Sequence, residues 1–167
     1  MAIDRTAPKE VASWSRLVEW SVLAGVIIVL GLVFVRQVRV VQGQAELAAV
    51  KSTLGALRTA FVIDYSRKQR AVGASASTPL QRNPFELLER HPLNYRGVMS
   101  AAEAVKAPAG GWVFDPICLC VGYLPLDDLW FDSPAGDVMA WYQVSGAPGP
   151  LLLTVKEAYV WQGKELN

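Results

Sequence analysis

The feature of this sequence that most constrains its fold is the continuous apolar run from Leu17 to Val35. Glu19 is the only ionisable residue in the run, and Arg16 and Arg36 flank it. At about 1.5 Å of rise per residue, a helix of this length spans about 28 Å, which is close to the hydrocarbon thickness of a bilayer. A buried helix that is apolar on every face needs a large protein around it. We therefore predict a transmembrane helix over 17–35, preceded by a short N-terminal segment, 1–16.

A cleaved secretory signal is the alternative interpretation of this run. Val41 and Gly43 are small residues at plausible cleavage positions. However, the run is longer than a typical signal core, and Arg36 and Arg39 interrupt the approach to that position. We therefore expect an uncleaved, single-pass anchor. Basic residues are equally frequent on both sides of the run, so charge alone does not set its orientation in the membrane.

Residues 36–70, which we call the stem, carry a second helical pattern. Apolar residues recur there at heptad spacing, with charged residues between them and no proline before Pro79. The apolar stripe of the stem consists of Val40, Leu47, Val50, Leu54, Leu57 and Phe61. The pattern predicts one continuous helix from about Leu17 to about Arg70. The stripe can pack on the protein's own globular domain, on neighbouring subunits, or on each along different lengths.

Charge is distributed unevenly along the chain although the net charge is only +1. The stem carries a net charge of +5, and residues 71–167 carry −4. A near-neutral chain has no overall electrostatic reason to bind nucleic acid. The basic stem can instead favour anionic lipid headgroups, or the acidic part of a second copy.

The rest of the chain is predicted to be a linker, 71–82, followed by an α+β head domain, 83–167. Asn83 and Pro84 are typical of a helix N-terminus, and we expect His91 to cap the end of this short helix rather than to act in catalysis. Strands are predicted over Gly111–Phe114, Leu119–Leu124, Leu129–Phe131, Val138–Val144, Leu151–Val155 and Ala158–Gln162. Because no second long helix is available for crossovers, we expect a small antiparallel sheet against the long helix.

The sequence contains no recognisable catalytic arrangement. It lacks a serine nucleophile elbow, a glycine-rich phosphate loop and a metal-binding histidine pair, so we predict that the protein is not an enzyme and needs no cofactor. Four acidic residues are weak candidates for binding calcium: Asp127, Asp128, Asp132 and Asp137. Their spacing matches no EF-hand loop, so we expect solvated turn residues there.

Cysteines and aromatic residues define the remaining candidate sites. Cys118 and Cys120 flank Leu119 in a predicted strand, and a disulfide between such near neighbours would close a very small, strained ring. We therefore expect both to be reduced and half-buried, with an intermolecular bridge as the alternative. Trp112, Trp130, Trp141 and Trp161 are expected to form the core and rim of the sheet domain. The pair Trp130 and Phe131 is a candidate surface for a protein partner.

The layout of an N-terminal span, a long amphipathic helix and a small sheet resembles that of type IV pilins and type II secretion pseudopilins. Leu17-Val18-Glu19 before a long apolar run is similar to the prepilin N-terminus, which has a glutamate five residues into the mature chain. Three further segments resemble pilin-like proteins of mannose-sensitive haemagglutinin type biogenesis systems. These segments are Asn83-Pro84-Phe85-Glu86-Leu87-Leu88, Gly111-Trp112-Val113-Phe114-Asp115-Pro116 and Val121-Gly122-Tyr123-Leu124-Pro125.

The resemblance implies a pilin-like fold and a minor or accessory structural role in a pilus or secretion assembly. It implies contacts with the bilayer and with pilin-like or assembly-platform proteins, self-association through the stem, and an inner-membrane protein with a periplasmic head. Glu19 would then serve in assembly, although at the membrane interface it can also simply be hydrated near Arg16. The sequence departs from the family pattern at Trp14, a position where prepilin peptidase requires glycine. We therefore expect an unprocessed accessory protein. The alternative function is that of a membrane-tethered periplasmic binding module.

Overall fold

A computed structural model describes residues 9–72, 83–146 and 151–166 of the chain. One helix, α1 (Lys9–Val72), contains the apolar run and the whole of the stem. It begins earlier than the predicted start at Leu17 and ends within two residues of the predicted end at Arg70. The chain divides into two compact units, one ending at Gln42 and one beginning at Gly43, and each is described by itself.

In the first unit, the side chains of the apolar run are not covered by the protein. Leu30 is 62% exposed and Phe34 is 69% exposed. Within the described ranges, α1 is the one helix that is long and apolar enough to cross a membrane, and none of its most apolar window is buried inside the protein. These properties are those of a span by length and composition.

The second unit contains a five-stranded mixed sheet in the order β1-β2-β3-β5-β6. Its strands are β1 (Tyr95–Val98), β2 (Gly111–Asp115), β3 (Cys120–Leu124), β5 (Ala140–Ser145) and β6 (Leu152–Val155). The β2-β3, β3-β5 and β5-β6 pairs are antiparallel, and β1 pairs with β2 in parallel. The expectation of a wholly antiparallel sheet is therefore wrong at this edge, although the α+β class is correct.

The parallel pair depends on a crossover that sequence analysis missed. Residues 99–110 connect β1 to β2 and contain a one-turn helix, α2 (Ala101–Ala104). Ser100 and Glu103 form a capping box at its start, and the side chain of buried Asp115 accepts a hydrogen bond from the Ala101 main-chain nitrogen at 2.9 Å. A connection of about a dozen residues is long enough for a parallel crossover. No second long helix is therefore needed.

A second, three-stranded sheet has the order β4-β7-β8, formed by β4 (Phe131–Asp132), β7 (Val160–Trp161) and β8 (Lys164–Glu165). The segment Asp128–Trp130, part of which was predicted as a strand, is a 3-10 helix. Asp127 caps this helix, because its side chain accepts a hydrogen bond from the Leu129 main-chain nitrogen at 3.0 Å. The competing Asx-type interaction explains why the strand begins later than predicted.

The head begins with a 3-10 helix, Pro84–Leu87, which the Asn83 side chain caps by accepting a hydrogen bond from the Phe85 nitrogen. The prediction that His91 caps a helix end is wrong. The helix ends at Leu87, and the exposed His91 ring lies edge-on to Tyr95 with 5.2 Å between ring centroids. The predicted linker from residue 73 and the turn at 147–150 lie outside the described residues.

The core of the second unit joins α1 to the sheet. Val50, Leu54, Leu57 and Phe61 are at most 4% exposed and belong to one cluster with the aromatic residues of the strands. Trp112 and Trp161 are fully buried, and their rings lie 4.8 Å and 6.3 Å from that of Tyr123. Burial of these side chains removes a large apolar area from water and fixes residues 43–61 of α1 on the head.

Candidate functional site

The head approaches the backbone of α1 closely at Gly43. The indole nitrogen of Trp161 donates a hydrogen bond of 2.9 Å to the Gly43 carbonyl in a buried position. A Cβ atom at Gly43 would lie 3.0 Å from a ring carbon of Trp130 and would overlap the side chain of Gln162. Glycine therefore allows the β7 end of the head to approach the helix backbone.

One helical turn further along α1, a buried carboxyl group joins the helix to a loop of the head. Oε1 of Glu46 accepts two hydrogen bonds of 2.8 Å, one from the Tyr123 hydroxyl and one from the Leu126 main-chain nitrogen. The residue is only 7% exposed, and its Oε2 atom has no hydrogen-bond partner among the described residues. Glu46 therefore fixes the position of the loop that follows β3.

The surroundings of Glu46 raise the pKa of its carboxyl group. Burial raises the pKa of the Glu46 carboxyl, the hydrogen bonds from Leu126 and Tyr123 lower it, and the nearby charge of Asp127 raises it again. The pKa of Tyr123 is raised by burial and by the hydrogen bond to Glu46, so this hydroxyl keeps its proton. The Tyr123 hydroxyl is therefore the donor and the Glu46 carboxyl the acceptor of this hydrogen bond, which is stronger when the carboxyl is charged.

Sequence analysis did not single out Glu46, although a signal was present. Glu46 lies on the same helical face as Val50, Leu54 and Leu57, at spacings of four, four and three residues. A charged residue that continues an apolar stripe is expected to be buried with a specific partner. The hydrogen-bond partner of Glu46 could not be identified from sequence, because Tyr123 lies 77 residues further along the chain.

The stripe residues proposed for assembly divide into two groups. The first group is buried in the protein's own core and is therefore not accessible to a neighbouring subunit: Val50, Leu54, Leu57 and Phe61. Leu47 is half-buried beside them. Val40, in the first unit, is 39% exposed. Of the two uses considered for the stripe, packing on the protein's own domain therefore accounts for the part from Leu47 onwards.

Near its C-terminal end, α1 carries exposed apolar residues among basic ones. Val62 is 53% exposed and Ile63 is 46% exposed. Arg67 and Lys68 lie within about one helical turn of them, and Lys68 forms an ion pair of 2.7 Å with Asp64. Arg58 instead donates a hydrogen bond of 3.4 Å to the Leu153 carbonyl of the head. We call Val62, Ile63 and Arg67 the outer face; Ile63 and Arg67 also line an open groove with Leu87 and Glu89 of the head. Glu19 is also exposed, but in the first unit.

The four aspartates suggested for calcium binding are not assembled into a site. Asp127 caps the 3-10 helix, Asp128 and Asp132 are exposed, and Asp137 lies 3.8 Å from Lys156 in an ion pair. Among the described residues, no group of three or more His, Cys, Asp or Glu side chains is arranged to hold a metal ion.

The candidate partner surface at Trp130 and Phe131 is more covered than its composition suggests. Both residues are half-buried, and the Phe131 ring packs 5.3 Å from Tyr159 and 6.2 Å from Trp161. The exposed apolar residues of this loop are Leu126 and Leu129, at 61% and 80%. The exposed apolar surface of this loop is therefore formed by the two leucines more than by Trp130 and Phe131.

The expectation of two reduced cysteines is wrong in this structure, which contains a disulfide between Cys118 and Cys120. Cys118 lies in the turn between β2 and β3 rather than in a strand, and Leu119 has a positive φ of 55°. This bend brings the two Cα atoms to 5.2 Å, whereas alternate residues of a strand are about 6.6 Å apart. The two residues thus do not alternate along an extended strand as predicted.

The fold and contacts define a chain with one long helix, apolar and uncovered in the first unit and packed on a mixed α+β head in the second. Comparison with known proteins adds no name to this description: no family model, no curated protein and no solved structure matches the chain.

Proposed function

We propose that this chain is a minor or accessory structural component of a type IV pilus or type II secretion type assembly. The observation that carries the proposal is that a single helix supplies both an uncovered apolar segment and the core face of the head. A helix that is apolar on every face has to be buried, either inside a large protein or in a bilayer. Since this protein does not cover the helix, the bilayer is the environment that fits it. The sequence segments that resemble pilin-like proteins support the same assignment.

In this function the protein acts by packing. The apolar run holds the chain in the inner membrane, with the head in the periplasm, and Glu19 contributes to contacts with other subunits. Since residues from Leu47 to Phe61 serve the chain's own core, contacts along the stem use the outer face instead. Its exposed valine and isoleucine can pack on apolar residues of a neighbour, and Arg67 can pair with an acidic group.

Crosslinking tests this proposal directly. The full chain, carrying a C-terminal affinity tag, is crosslinked in membranes of cells that contain its natural partners and then purified in detergent. Mass spectrometry should identify pilin-like subunits or assembly-platform proteins. Recovery of a monodisperse monomer without such proteins would overturn the proposal and favour a membrane-tethered binding module.

Two substitutions locate the contact surfaces. Ile63→Ser should weaken crosslinking through the outer face, and Val98→Ser, at a similarly exposed position of β1, is its control. Glu19→Ala should reduce incorporation into the complex, with Ser21→Ala as a control one half-turn away in the same segment. Unchanged incorporation of Glu19→Ala would show that this carboxylate is only hydrated at the interface.

The N-terminus of the mature protein provides an independent measurement. Intact-mass analysis should give a chain that retains the residues before Trp14, since the indole does not fit a peptidase site built for glycine. A mature chain that begins at Ser15 would show that prepilin processing occurs, and the protein would then be a filament subunit rather than an unprocessed accessory.

A further inference from the structure

The tip of the β2–β3 hairpin carries two cysteines in very different environments. Cys118 is exposed in the turn, next to Ile117, which is 84% exposed. Cys120 is the first residue of β3, is 3% exposed and pairs with Asp115 in the strand ladder. Their disulfide therefore has one sulfur on a solvent-accessible residue and one on a residue held in the core.

The backbone between the two cysteines is held in an unfavourable conformation. Leu119 has a φ of 55°, in the left-handed region that leucine seldom adopts because its Cβ approaches the carbonyl oxygen. Its own carbonyl is fixed by a hydrogen bond of 3.2 Å from the Val144 nitrogen. A disulfide that closes a ring of three residues across this bend is less stable than a disulfide between relaxed segments. Reduction therefore removes a constraint on the backbone.

Acceptors for both thiols are already in place. The Cys120 sulfur lies 3.3 Å from the Cys118 carbonyl oxygen, and the Cys118 sulfur lies 4.0 Å from the Asp115 carbonyl oxygen. In the reduced protein the Cys120 S–H group can donate to the Cys118 carbonyl, and the Asp115 carbonyl is an acceptor near the Cys118 sulfur. The local structure is thus compatible with the dithiol as well as with the disulfide.

We infer that Cys118 and Cys120 form a thiol–disulfide exchange site, with Cys118 as the sulfur that an external thiolate attacks. A bond forms between the incoming sulfur and the Cys118 sulfur while the bond between the two cysteines breaks. The electron pair leaves on the Cys120 sulfur, which takes up a proton from water. A second thiolate then attacks the incoming sulfur and releases Cys118; the protein gains two electrons and two protons, and the reductant becomes a disulfide.

The chemistry identifies the co-reactant as a thiol, supplied by a small molecule such as glutathione or by a protein dithiol. Access favours attack at Cys118 in both cases, because Cys120 is covered by the core. The inference is independent of the proposed function, since it depends only on the hairpin tip. Both sources are therefore used in the test.

The experiment equilibrates the full chain in detergent with graded ratios of reduced to oxidised glutathione, or with reduced thioredoxin as a protein dithiol. Free thiols are then alkylated and counted by intact mass. We expect the isolated protein to contain the disulfide and to become more than half reduced by at least one of the two reductants under non-denaturing conditions. A disulfide that resists an excess of both reductants, or its absence from the oxidised protein, would overturn the inference.

Single substitutions test which sulfur reacts. Cys120→Ser leaves the exposed sulfur, and Cys118→Ser leaves the buried one. The Cys120→Ser variant should form a mixed disulfide with oxidised glutathione at least about tenfold faster than Cys118→Ser, as thiol reactivity follows exposure. Near-ultraviolet circular dichroism verifies that both variants are folded. Equal rates in two folded variants would remove the assigned role of Cys118.

The role of the backbone bend can be measured separately. Leu119→Gly removes the cost of the left-handed conformation and so stabilises the disulfide form. The ratio of reduced to oxidised glutathione needed for half-reduction should therefore rise about tenfold. Ile117→Gly is the control, because that neighbouring exposed residue has no positive φ. If the two glycine variants shift the ratio equally, the bend at Leu119 does not contribute to reducibility.

Discussion

The indole nitrogen of Trp161 and the main-chain carbonyl of Gly43 form a buried hydrogen bond across 118 positions of sequence. Trp161 also packs against Tyr123 and Phe131, so it belongs to the core and to the contact with α1 at once. This one residue connects the last strands of the head to the beginning of the second unit.

Replacing Trp161 by Phe should destabilise the head by about 1–3 kcal/mol, because the Gly43 carbonyl loses a buried donor and the smaller ring leaves a cavity. Urea unfolding of the full chain in detergent, followed by near-ultraviolet circular dichroism, measures the change. A loss within error of zero would show that water replaces the indole at this carbonyl.

Gly122 should not tolerate a side chain. It lies opposite Trp141 in the β3–β5 pair, and a Cβ atom there would come within 2.6 Å of the indole ring, which is itself 6% exposed and cannot swing away. Gly122→Ala should therefore cost about 1–3 kcal/mol of unfolding free energy.

Gly55→Ala is the matched control for this substitution. Gly55 lies in α1 with no atom within 4 Å of the added Cβ position, so alanine should stabilise the helix by about 0.5–1 kcal/mol. The two glycine-to-alanine changes are thus predicted to have opposite signs in the same unfolding assay. Equal effects would contradict the close packing of Trp141 on β3.

The Tyr123 hydroxyl should contribute more to stability than that of Tyr142. Tyr123 donates to Glu46, whereas the buried Tyr142 hydroxyl has no hydrogen-bond partner among the residues that the structure describes. Tyr123→Phe should cost about 1 kcal/mol or more, and Tyr142→Phe should be neutral or slightly stabilising. The reverse order, measured by urea unfolding, would show that the Glu46 contact is absent in solution.

Stability should decrease as pH rises through the titration of Glu46. The folded-state pKa lies above the ordinary value of 4.5, so the folded protein binds the proton more tightly than the unfolded chain. The contribution of this proton is complete below 4.5 and is lost as pH passes the raised folded pKa.

Glu46→Gln isolates this effect, because glutamine keeps an acceptor for Tyr123 and Leu126 but does not titrate. The unfolding free energy of the wild type minus that of the variant should fall as the pH rises above 4.5. Glu103, whose pKa is lowered by its hydrogen bonds with Ser100, contributes equally to both proteins and cancels in the difference. A difference that does not change with pH would mean that Glu46 has an ordinary pKa.

The helix was predictable from sequence because its signals are local. The apolar run, the stripe and the absence of proline before Pro79 all lie within α1 or next to it, and the structure differs from the prediction mainly at the start, Lys9. The strands β2, β3, β5 and β6 were also located within one or two residues, since turn residues separate them.

The parts that sequence analysis missed depend on contacts between distant residues. β1 contains Arg96 and Gly97 and has no strong strand pattern, and it becomes a strand only by pairing with β2. The carboxyl site required Glu46 and Tyr123 to be placed together, and the disulfide required the bend at Leu119, which nothing in the local sequence indicates. Tertiary structure determined each of these features.

The separation of 118 positions between Gly43 and Trp161 also has a consequence for synthesis. At about 5–20 residues per second, roughly 6–24 s pass between the emergence of the helix and that of its last contact. During this interval the face of α1 that carries Val50, Leu54 and Leu57 exists without its own sheet to cover it. The nascent chain therefore needs its apolar run to be captured early, or a holding factor to shield this face, if it is to avoid aggregation before the head is complete.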